Sequence, residues 1–516
     1  MAVEDLLHPW LEAYFASPQW VKNSVGRAYS LFAGPLRKGR DHHRFQREAA
    51  VRDPVVLERL VTGKLRDALR HALETVPAYA DYRHLLSALD SPRTVLRQLP
   101  LIAKEEIRRD PNRFLSSQAA VGDRLKVSTG GTTAVPLVFY LQKGVTRSRE
   151  YAYIQEFHHR AGLTESEIVL ALRGRTVPTA KRAQGPLWMF EPIKRELIIS
   201  TEHLARQHMP AYIDAIRAWK PTFIQAYPSA IFPLARWLQE HPAPDVVQRI
   251  RAVMLFSESV LDQHLQLLQA VFPCPILQHY GQSERILMAA SMPNDGRSFF
   301  YPQYGHLELV DHRGATIDEP GVLGEIVGTG FDNQVMPFIR YRTGDMAMLG
   351  VGEHPSLPGY PVVERIEGRR QEFIVCSDRR LISINALTTT RYPDLETAEA
   401  IQFEQTIPGQ FTVKVRSATP LSAAAAQRVV RAMAAKTGDG CLATVTHVEH
   451  IARTARGKHQ MLIQHLDLSP YFGALGPSPA NIETASFGSN KFGSVNLGSS
   501  GSNSATSIAT INEVLP

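Results

Sequence analysis

Residues 126–140 read KVSTGGTTAVPLVFY, which sets Ser128, Thr129, Thr132 and Thr133 around Gly130 and Gly131 just before a strand-like run. Adjacent glycines let the backbone curl tightly and aim successive N–H groups at one point, and the hydroxyls add donors, so the segment can cradle an anion. A flexible Gly/Thr turn between strands accounts for the same residues. The Gly-Lys-Ser/Thr of a P-loop and the spaced glycines of a dinucleotide fingerprint are both absent from this stretch. HYGQSE, 279–284, follows the apolar run PILQ and brings together a ring, a small residue and a carboxylate. Tyr280 can stack on a base, Gly281 permits close approach, and Glu284 can hold Mg²⁺ against phosphate oxygens. A strand-end turn in which Ser283 caps a helix is the plainer alternative. RYRTGD, 340–345, supplies a turn glycine and Asp345, a carboxylate able to accept from both hydroxyls of a ribose; a charged hairpin has the same composition. Arg369, after Gly368, either places a guanidinium on ribose or phosphate or belongs to a polar linker. Lys458 follows a glycine in ARTARGKHQ, 452–460, as a cation on a swinging loop or as a solvated lysine.

Elements far apart in the chain must bring these residues together. At 516 residues the chain is too long for one core and implies at least two domains. Hydrophobic content of 44% and charged content of 21% belong to a globular protein and exclude bulk disorder. The net charge of +7, 57 basic less 50 acidic residues, is spread along the chain, which argues against a nucleic-acid partner. The longest basic run, LRKGRDHHR at 36–44, reads as a solvated face. Cys274, Cys376 and Cys441 lack CxxC spacing or paired histidines, which removes a zinc motif and leaves buried thiols in a reducing compartment. The opening MAVEDLLHPWLEAYF lacks the basic start and apolar core of a signal peptide, and no run is long enough to span a bilayer, so a cytoplasmic protein is expected.

Residues 1–120 predict a helical flank; in VLERLVTGKLRDALRHALETV, Leu57, Leu60, Val61, Leu65 and Leu69 recur at helical spacing. From about 165 onward, apolar runs alternate with amphipathic segments. IVLAL (168–172), FIQA (223–226), AVMLF (252–256) and PILQ (275–278) predict buried strands, and Leu261, Leu265, Leu268 and Phe272 share a helical face between the last two. This alternation predicts an α/β fold with a mostly parallel sheet, whose post-strand loops are default ligand sites. Residues 299–350 predict a β-subdomain of hairpins, with turns at DHRG and at the glycines around GEIVGTG. Strands at 397–405, 410–416 and 442–448 with an Ala-rich helix at 421–436 predict a small α+β domain. The Gly/Ser/Asn-rich stretch 471–516 predicts a disordered tail.

Taken in this order, the motifs resemble those of the adenylate-forming superfamily of acyl- and aryl-CoA ligases, and within it the phenylacetate-CoA ligase-like branch, which includes relatives from capsular polysaccharide clusters. STGGTTAVP resembles the family's Ser/Thr/Gly phosphate loop, YGQSE its Tyr-Gly-x-Ser/Thr-Glu motif, RYRTGD its Tyr-Arg-Thr-Gly-Asp motif, GRRQE its hinge and RTARGK its terminal lysine loop. LFSES, 255–259, is similar to the segment that lines the adenine site and adds Ser257 and Glu258. The resemblance covers about residues 90–466. It implies a large N-terminal domain (1–368), a hinge (369–371) and a small mobile C-terminal domain (372–470). It also implies a two-step reaction. A carboxylate attacks the α-phosphorus of ATP to give an acyl-adenylate and pyrophosphate; the small domain then rotates, and a nucleophile, commonly the CoA thiol, takes the acyl group. Lys458 would catalyse adenylation, Glu284 would hold Mg²⁺, and Ser128 to Thr133 would hold phosphate. Tyr280 with Gly281, Gln282 and Ser283 would meet the adenine side, and Asp345 with Arg369 the ribose.

Departures from the pattern bear on the second step. The phosphate loop ends Ala134-Val135-Pro136 where the family carries Gly-Lys-Pro, and the hinge position is Gln371 where Asp or Lys is usual. The loop IVCSDRRLIS has no glycine where CoA ligases have one to pass the pantetheine arm, and a Cβ-bearing loop narrows such a tunnel. An amine, a hydroxyl or a carrier-protein thiol therefore stands beside CoA as acceptor, and a CoA-independent amide- or ester-forming ligase or a non-catalytic nucleotide-binding scaffold is the rival function. The substrate reads as a small carboxylic acid, aryl acids among them. Trp188, Phe190 and Tyr227 either wall its pocket or pack in the core.

Overall fold

Short runs of Val, Ile, Leu and Ala with no polar alternation fold as strands covered on both faces, and they form the parallel half of the main sheet. The computed structural model describes residues 11–32, 37–39, 41–128, 137–173, 177, 185–260, 262–369, 372–384, 387, 392–395, 398–451, 459–472 and 482–483. Arg124–Ser128 (β1) and Val138–Gln142 (β2) form a separate antiparallel ribbon that pairs Ser128 with Val138. Val169–Leu172 (β3), Trp188–Glu191 (β4), Glu196–Ile199 (β5), Phe223–Ala226 (β6), Ala252–Phe256 (β7) and Ile276–Gly281 (β8) follow in order. β5, β3, β6, β7 and β8 lie side by side in parallel, and β4 is antiparallel on the outer edge. On one face Val169, Phe223, Ala252, Met254 and Leu277 pack with the helix Thr146–Arg160 through Ala152, Tyr153 and Phe157. On the other, Leu170, Ile224, Val253 and Leu255 pack with Ile213, Ile231, Leu268 and Phe272.

The β-rich stretch joins this sheet directly. Met288–Met292 (β9) pairs antiparallel with β8, and Asp295–Phe300 (β10), Gly305–Val310 (β11), Leu323–Gly330 (β12), Tyr341–Leu349 (β13) and Val362–Arg369 (β14) continue it as an antiparallel half, in the spatial order 9-10-14-13-12-11. Three local expectations change. The residues after Gly281 form the β8–β9 hairpin, so no helix begins at Ser283. GEIVGTG lies inside β12 and makes no turn. RYRTGD is the start of β13, where Gly344 (φ +78°) sits in a bulge: the register passes from Val327↔Arg342 to Glu325↔Met346. The two extra residues on β13 increase the local twist and re-aim the side chain that follows Gly344, Asp345.

Beyond β14, Phe373–Val375 (β15) pairs with Leu381–Ser383 (β16). Ala400–Ile407 (β17), Gln410–Arg416 (β18), Leu442–His447 (β19) and Leu462–Gln464 (β20) form a sheet in the order 19-18-17-20. The helix Ala423–Thr437, capped by Ser422 accepting from the Ala425 N–H, presents Val429 and Met433 to Phe403, Phe411 and Val413. Cys376 and Cys441 are buried here as free thiols with sulfurs 3.3 Å apart, whereas Cys274 is half-exposed rather than buried. Trp188 and Phe190 both pack on Trp219, Phe190 stacked at 4.0 Å between ring centroids. Among the described residues no helix is long and apolar enough to cross a membrane. Nearly all of the tail, residues 471–516, lies outside the described residues.

Buried histidines set an acid limit on the fold, His264 and His306 among them. Burial pushes His264 down to about 3 and His306 down to about 4, from an ordinary 6.5. Because both folded values lie below the unfolded one, the unfolded chain takes up protons first as pH falls. Their stabilising contribution is complete above pH 6.5 and is lost progressively toward pH 4 and then pH 3. The unfolding temperature should fall more steeply from pH 6.5 to 5 than from 8 to 6.5, and His306→Gln should flatten that slope. An equal slope in both variants would remove the assignment.

Candidate active site

The β8–β9 hairpin, the β13 bulge and the end of β14 meet at one place. Tyr280, next to last in β8, donates its hydroxyl to Asp345 Oδ2 at 2.7 Å and accepts from Gln282 Nε2 at 2.7 Å. Gln282 Oε1 in turn accepts from the Leu287 N–H, which fixes the amide's orientation and ties the hairpin together. Asp345 is the cross-strand partner of Arg369, with Nε 3.6 Å from Oδ1. Its own N–H donates to Thr343 Oγ1, and the Thr343 hydroxyl donates across the bulge to the Ile326 carbonyl. Glu284 is buried (5% exposed) and accepts the Tyr341 hydroxyl at 2.6 Å.

The electrostatics follow from enclosure. Burial first, then the charge of Asp345, pushes the Tyr280 phenol well above its ordinary value, so it stays a neutral donor. Enclosure pulls Arg369 down, but Asp345, Glu372 and Glu284 more than offset this and hold it above its ordinary value. Burial raises Glu372, with Arg369 opposing. Glu372 closes the end of β14: it accepts from the Arg369 N–H at 3.1 Å and from Ser259 Oγ at 3.3 Å. Gly368 (φ +102°) faces it so closely that a Cβ there would collide with its carboxylate. Tyr341 and Glu372 lie within the RYRTGD and GRRQE motifs, but the sequence assigns neither of them a role.

On the far side, Ser257 takes a left-handed backbone (φ +67°), an uncommon conformation for a residue with a Cβ. Glu258 accepts from the Ser229 N–H and hydroxyl, both at 3.0 Å, and from the His459 N–H at 2.9 Å. His459 directly follows Lys458, so the far end of the lysine segment is tied to the Ser257–Glu258 turn. Lys458 itself and Thr129, Gly130, Gly131, Thr132 and Thr133 lie outside the described residues, as do Arg370 and Gln371. Ser128 is described as the last residue of β1. The structure thus brings Tyr280, Gln282, Asp345 and Arg369 together in one network, with Glu284 on the same hairpin, and places Glu258 against the residue after Lys458.

A position that sequence reading missed supports this hairpin from behind. Arg149 is 1% exposed; its Nη2 donates to the Arg285 carbonyl, one residue past Glu284, and its Nη1 to Asp332 at 3.1 Å. In TRSREYAYIQEFHHR it reads as one more polar residue on a helix. A cavity of about 710 Å³ borders the site, because Phe256 and His279, the residues just before Ser257 and Tyr280, line it. Trp188, Phe190 and Tyr227 are not among the described residues that line it: their role is packing, Tyr227 behind Phe256.

No family model matches the chain. The chain is 24% identical over 319 residues to Protein CapK of Staphylococcus aureus, covering 60% of this chain and 67% of that protein. It is 24% identical over 324 residues to phenylacetate-coenzyme A ligase of Pseudomonas putida, covering 60% and 70%. Among solved structures, 2-hydroxyisobutyryl-CoA ligase in the postadenylation state, in complex with an acyl-AMP, superimposes with a TM-score of 0.59 at 14% identity, over 80% of this chain and 90% of that one. The chain is a homologue of CapK and phenylacetate-coenzyme A ligase with the fold of the adenylate-forming ligases.

Proposed function

We propose that the chain activates a small carboxylic acid with ATP through an acyl-adenylate and passes the acyl group to a nucleophile, CoA being the first candidate. The observation that carries this reading is the network in which Tyr280, Asp345 and Arg369 lie within hydrogen-bonding or ion-pairing reach of one another beside Glu284. The hydroxyl bond to Asp345 fixes the Tyr280 ring, against which a base would stack. Asp345 would accept from the ribose hydroxyls and Arg369 would donate to them. Homology to a CoA ligase supports the same reaction class.

Magnesium fits this site in a limited way. Among the described residues no cluster of three ligating side chains exists. Mg²⁺ is ordinarily held by one or two carboxylates together with substrate phosphates and water, so Glu284 alone suffices on the protein side. Bound there, the ion would neutralise charge on the phosphates. Lys458 would supply a cation matched to the charge that gathers on the α-phosphate only as the carboxylate attacks, and Ser128 to Thr133 would receive the departing phosphates. Rotation of residues 372–470 about 369–371 would first exclude water from the adenylate and then admit the acceptor. The glycine-free stretch IVCSDRRLIS leaves an amine or hydroxyl acceptor as the second reading of that later step.

The test is ATP–pyrophosphate exchange over a panel of aryl, hydroxy and fatty acids. Exchange that depends on an acid is the expected result. Lys458→Ala should lower it by about 10²-fold while ATP affinity stays within a few-fold, because the lysine acts on the transition state. ATP binding without exchange for any acid would identify a nucleotide-binding scaffold instead. Product masses with CoA and with candidate amines then assign the acceptor.

A further inference from the structure

The cavity beside Tyr280 has an inner wall whose chemistry is unusual for a pocket meant for hydrocarbon. It lies between the sheet and the helices Thr146–Arg160 and Gln19–Leu31, all of which contribute to its lining. Apolar walls come from Phe157, Met254 and Phe256. Across its inner wall runs a chain of four polar side chains. Arg173, just past β3, pairs through Nη2 with Glu196 and donates from Nη1 to Gln225 Oε1 at 3.0 Å. The Arg173 contact fixes which end of the Gln225 amide is oxygen, so its Nε2 is a donor, and it meets His158 Nε2 at 2.7 Å. That ring nitrogen must therefore be an acceptor, which makes His158 a neutral imidazole carrying its proton on Nδ1. Burial, with His279 and Arg173 nearby, also pushes His158 down to about 3.

The result is a wall rich in donors but without net charge. The Arg173 guanidinium is cancelled by Glu196, and its Nε has no partner among the described residues. His158 Nδ1–H makes no bond to a described residue, and His279 Nε2 is buried with no partner among the described residues. Farther out, Lys38 pairs with Glu165, Arg37 lies over the Tyr29 ring at 6.0 Å and Lys194 over the Tyr151 ring at 5.5 Å, and Arg27 and Arg195 complete the outer lining. A cavity of about 150 Å³ accommodates benzene, whereas this one measures about 710 Å³. A hydrocarbon tail would cover the inner donors and leave them without bonds, and a second anion reaching the inner wall would meet no unpaired charge among its described residues.

We propose that this cavity is the acid pocket and that it selects carboxylic acids larger than a single aryl ring whose far end carries neutral oxygen acceptors, hydroxyl or amide, read by His158, Arg173 and Gln225. The proposal rests on the reading of the chain as an acid-activating ligase, and its test separates the two. Matched acids, 8-hydroxyoctanoate against octanoate and 3-(4-acetamidophenyl)propanoate against 3-(4-isobutylphenyl)propanoate, with octanedioate as the doubly charged member, are compared by pyrophosphate exchange and, independently of turnover, by calorimetric binding in the presence of AMP. The hydroxyl and amide acids should be favoured by about 10–100-fold, the range expected when a buried donor gains or loses its partner. Gln225→Leu should reduce that preference, and the preference of the unaltered protein stands as evidence even if this variant does not fold. Equal or better use of the hydrocarbon acids, a preference for octanedioate, or no calorimetric binding of any acid would overturn the proposal. Selective calorimetric binding without exchange would uphold it while removing the ligase activity.

Discussion

Glu284→Gln should lower acid-dependent pyrophosphate exchange by about 10²–10³-fold, the loss typical when one preorganised electrostatic contact to a transition state is removed. The substitution is isosteric and keeps an oxygen to accept from the Tyr341 hydroxyl, which now donates to Glu284 Oε1 at 2.6 Å. What disappears is the negative charge, the feature by which Glu284 would hold magnesium in the proposed reaction. The deficit should shrink as Mg²⁺ is raised, because weaker binding is compensated by mass action. Tyr341→Phe provides the contrast. It leaves the charge and removes one hydrogen bond to a carboxylate, worth about 1.5–3 kcal/mol, so the carboxylate loses its orientation but not its function. Exchange rates for the two variants across a magnesium series separate charge from positioning. Full activity of Glu284→Gln at low magnesium would show that the metal is held elsewhere.

Much of this arrangement was readable in the sequence because parallel strands buried on both faces leave uninterrupted apolar runs; FIQA and AVMLF occupy β6 and β7 as expected. The order of the YGQSE and RTGD motifs likewise foretold that Tyr280 and Asp345 meet. Glycine was the less legible residue. In GEIVGTG it suggested turns, yet Gly328 is a strand position over which the β8–β9 hairpin folds, and a Cβ there would stand 2.7 Å from Ile286 Cγ2. Gly305 on β11 faces the Ile286 carbonyl in the same way. A glycine that permits close approach and one that permits a turn are the same letter, and only the distant partner tells them apart. In RTGD the glycine does have a positive φ, but it serves a bulge within a strand. Arg149 escaped, and the role of Tyr341 within its motif was missed, for a related reason: their importance lies in contacts with residues far along the chain.

Arg149 leads to the second large effect. Arg149→Ala should destabilise the protein by about 3–5 kcal/mol, the usual result of breaking a buried ion pair from one side. Asp332 would then remain enclosed with, among the described residues, Lys64 alone, 3.0 Å away, paired to its charge. At present burial tends to raise the Asp332 carboxyl, but Lys64 and Arg149 together hold it below its ordinary value. Its contribution is therefore present above that ordinary value of 3.8 and is lost as pH falls through the lower folded value, so the variant's deficit should narrow in strong acid. The guanidinium also lies over the Tyr304 ring at 4.1 Å and binds the Arg285 carbonyl, where the chain takes a left-handed turn (φ +53°) directly after Glu284. Losing it releases that turn, so exchange activity should fall even at temperatures where the variant stays folded. Arg149→Lys keeps the charge but cannot reach Asp332 and the carbonyl with a planar fork, and it should recover part of the stability and less of the activity. Denaturant unfolding and exchange, measured on both variants, test this coupling. Activity that follows stability in strict proportion would reduce Arg149 to a core residue, whereas a greater loss of activity in Arg149→Lys ties it to the orientation of the Tyr280–Glu284 hairpin.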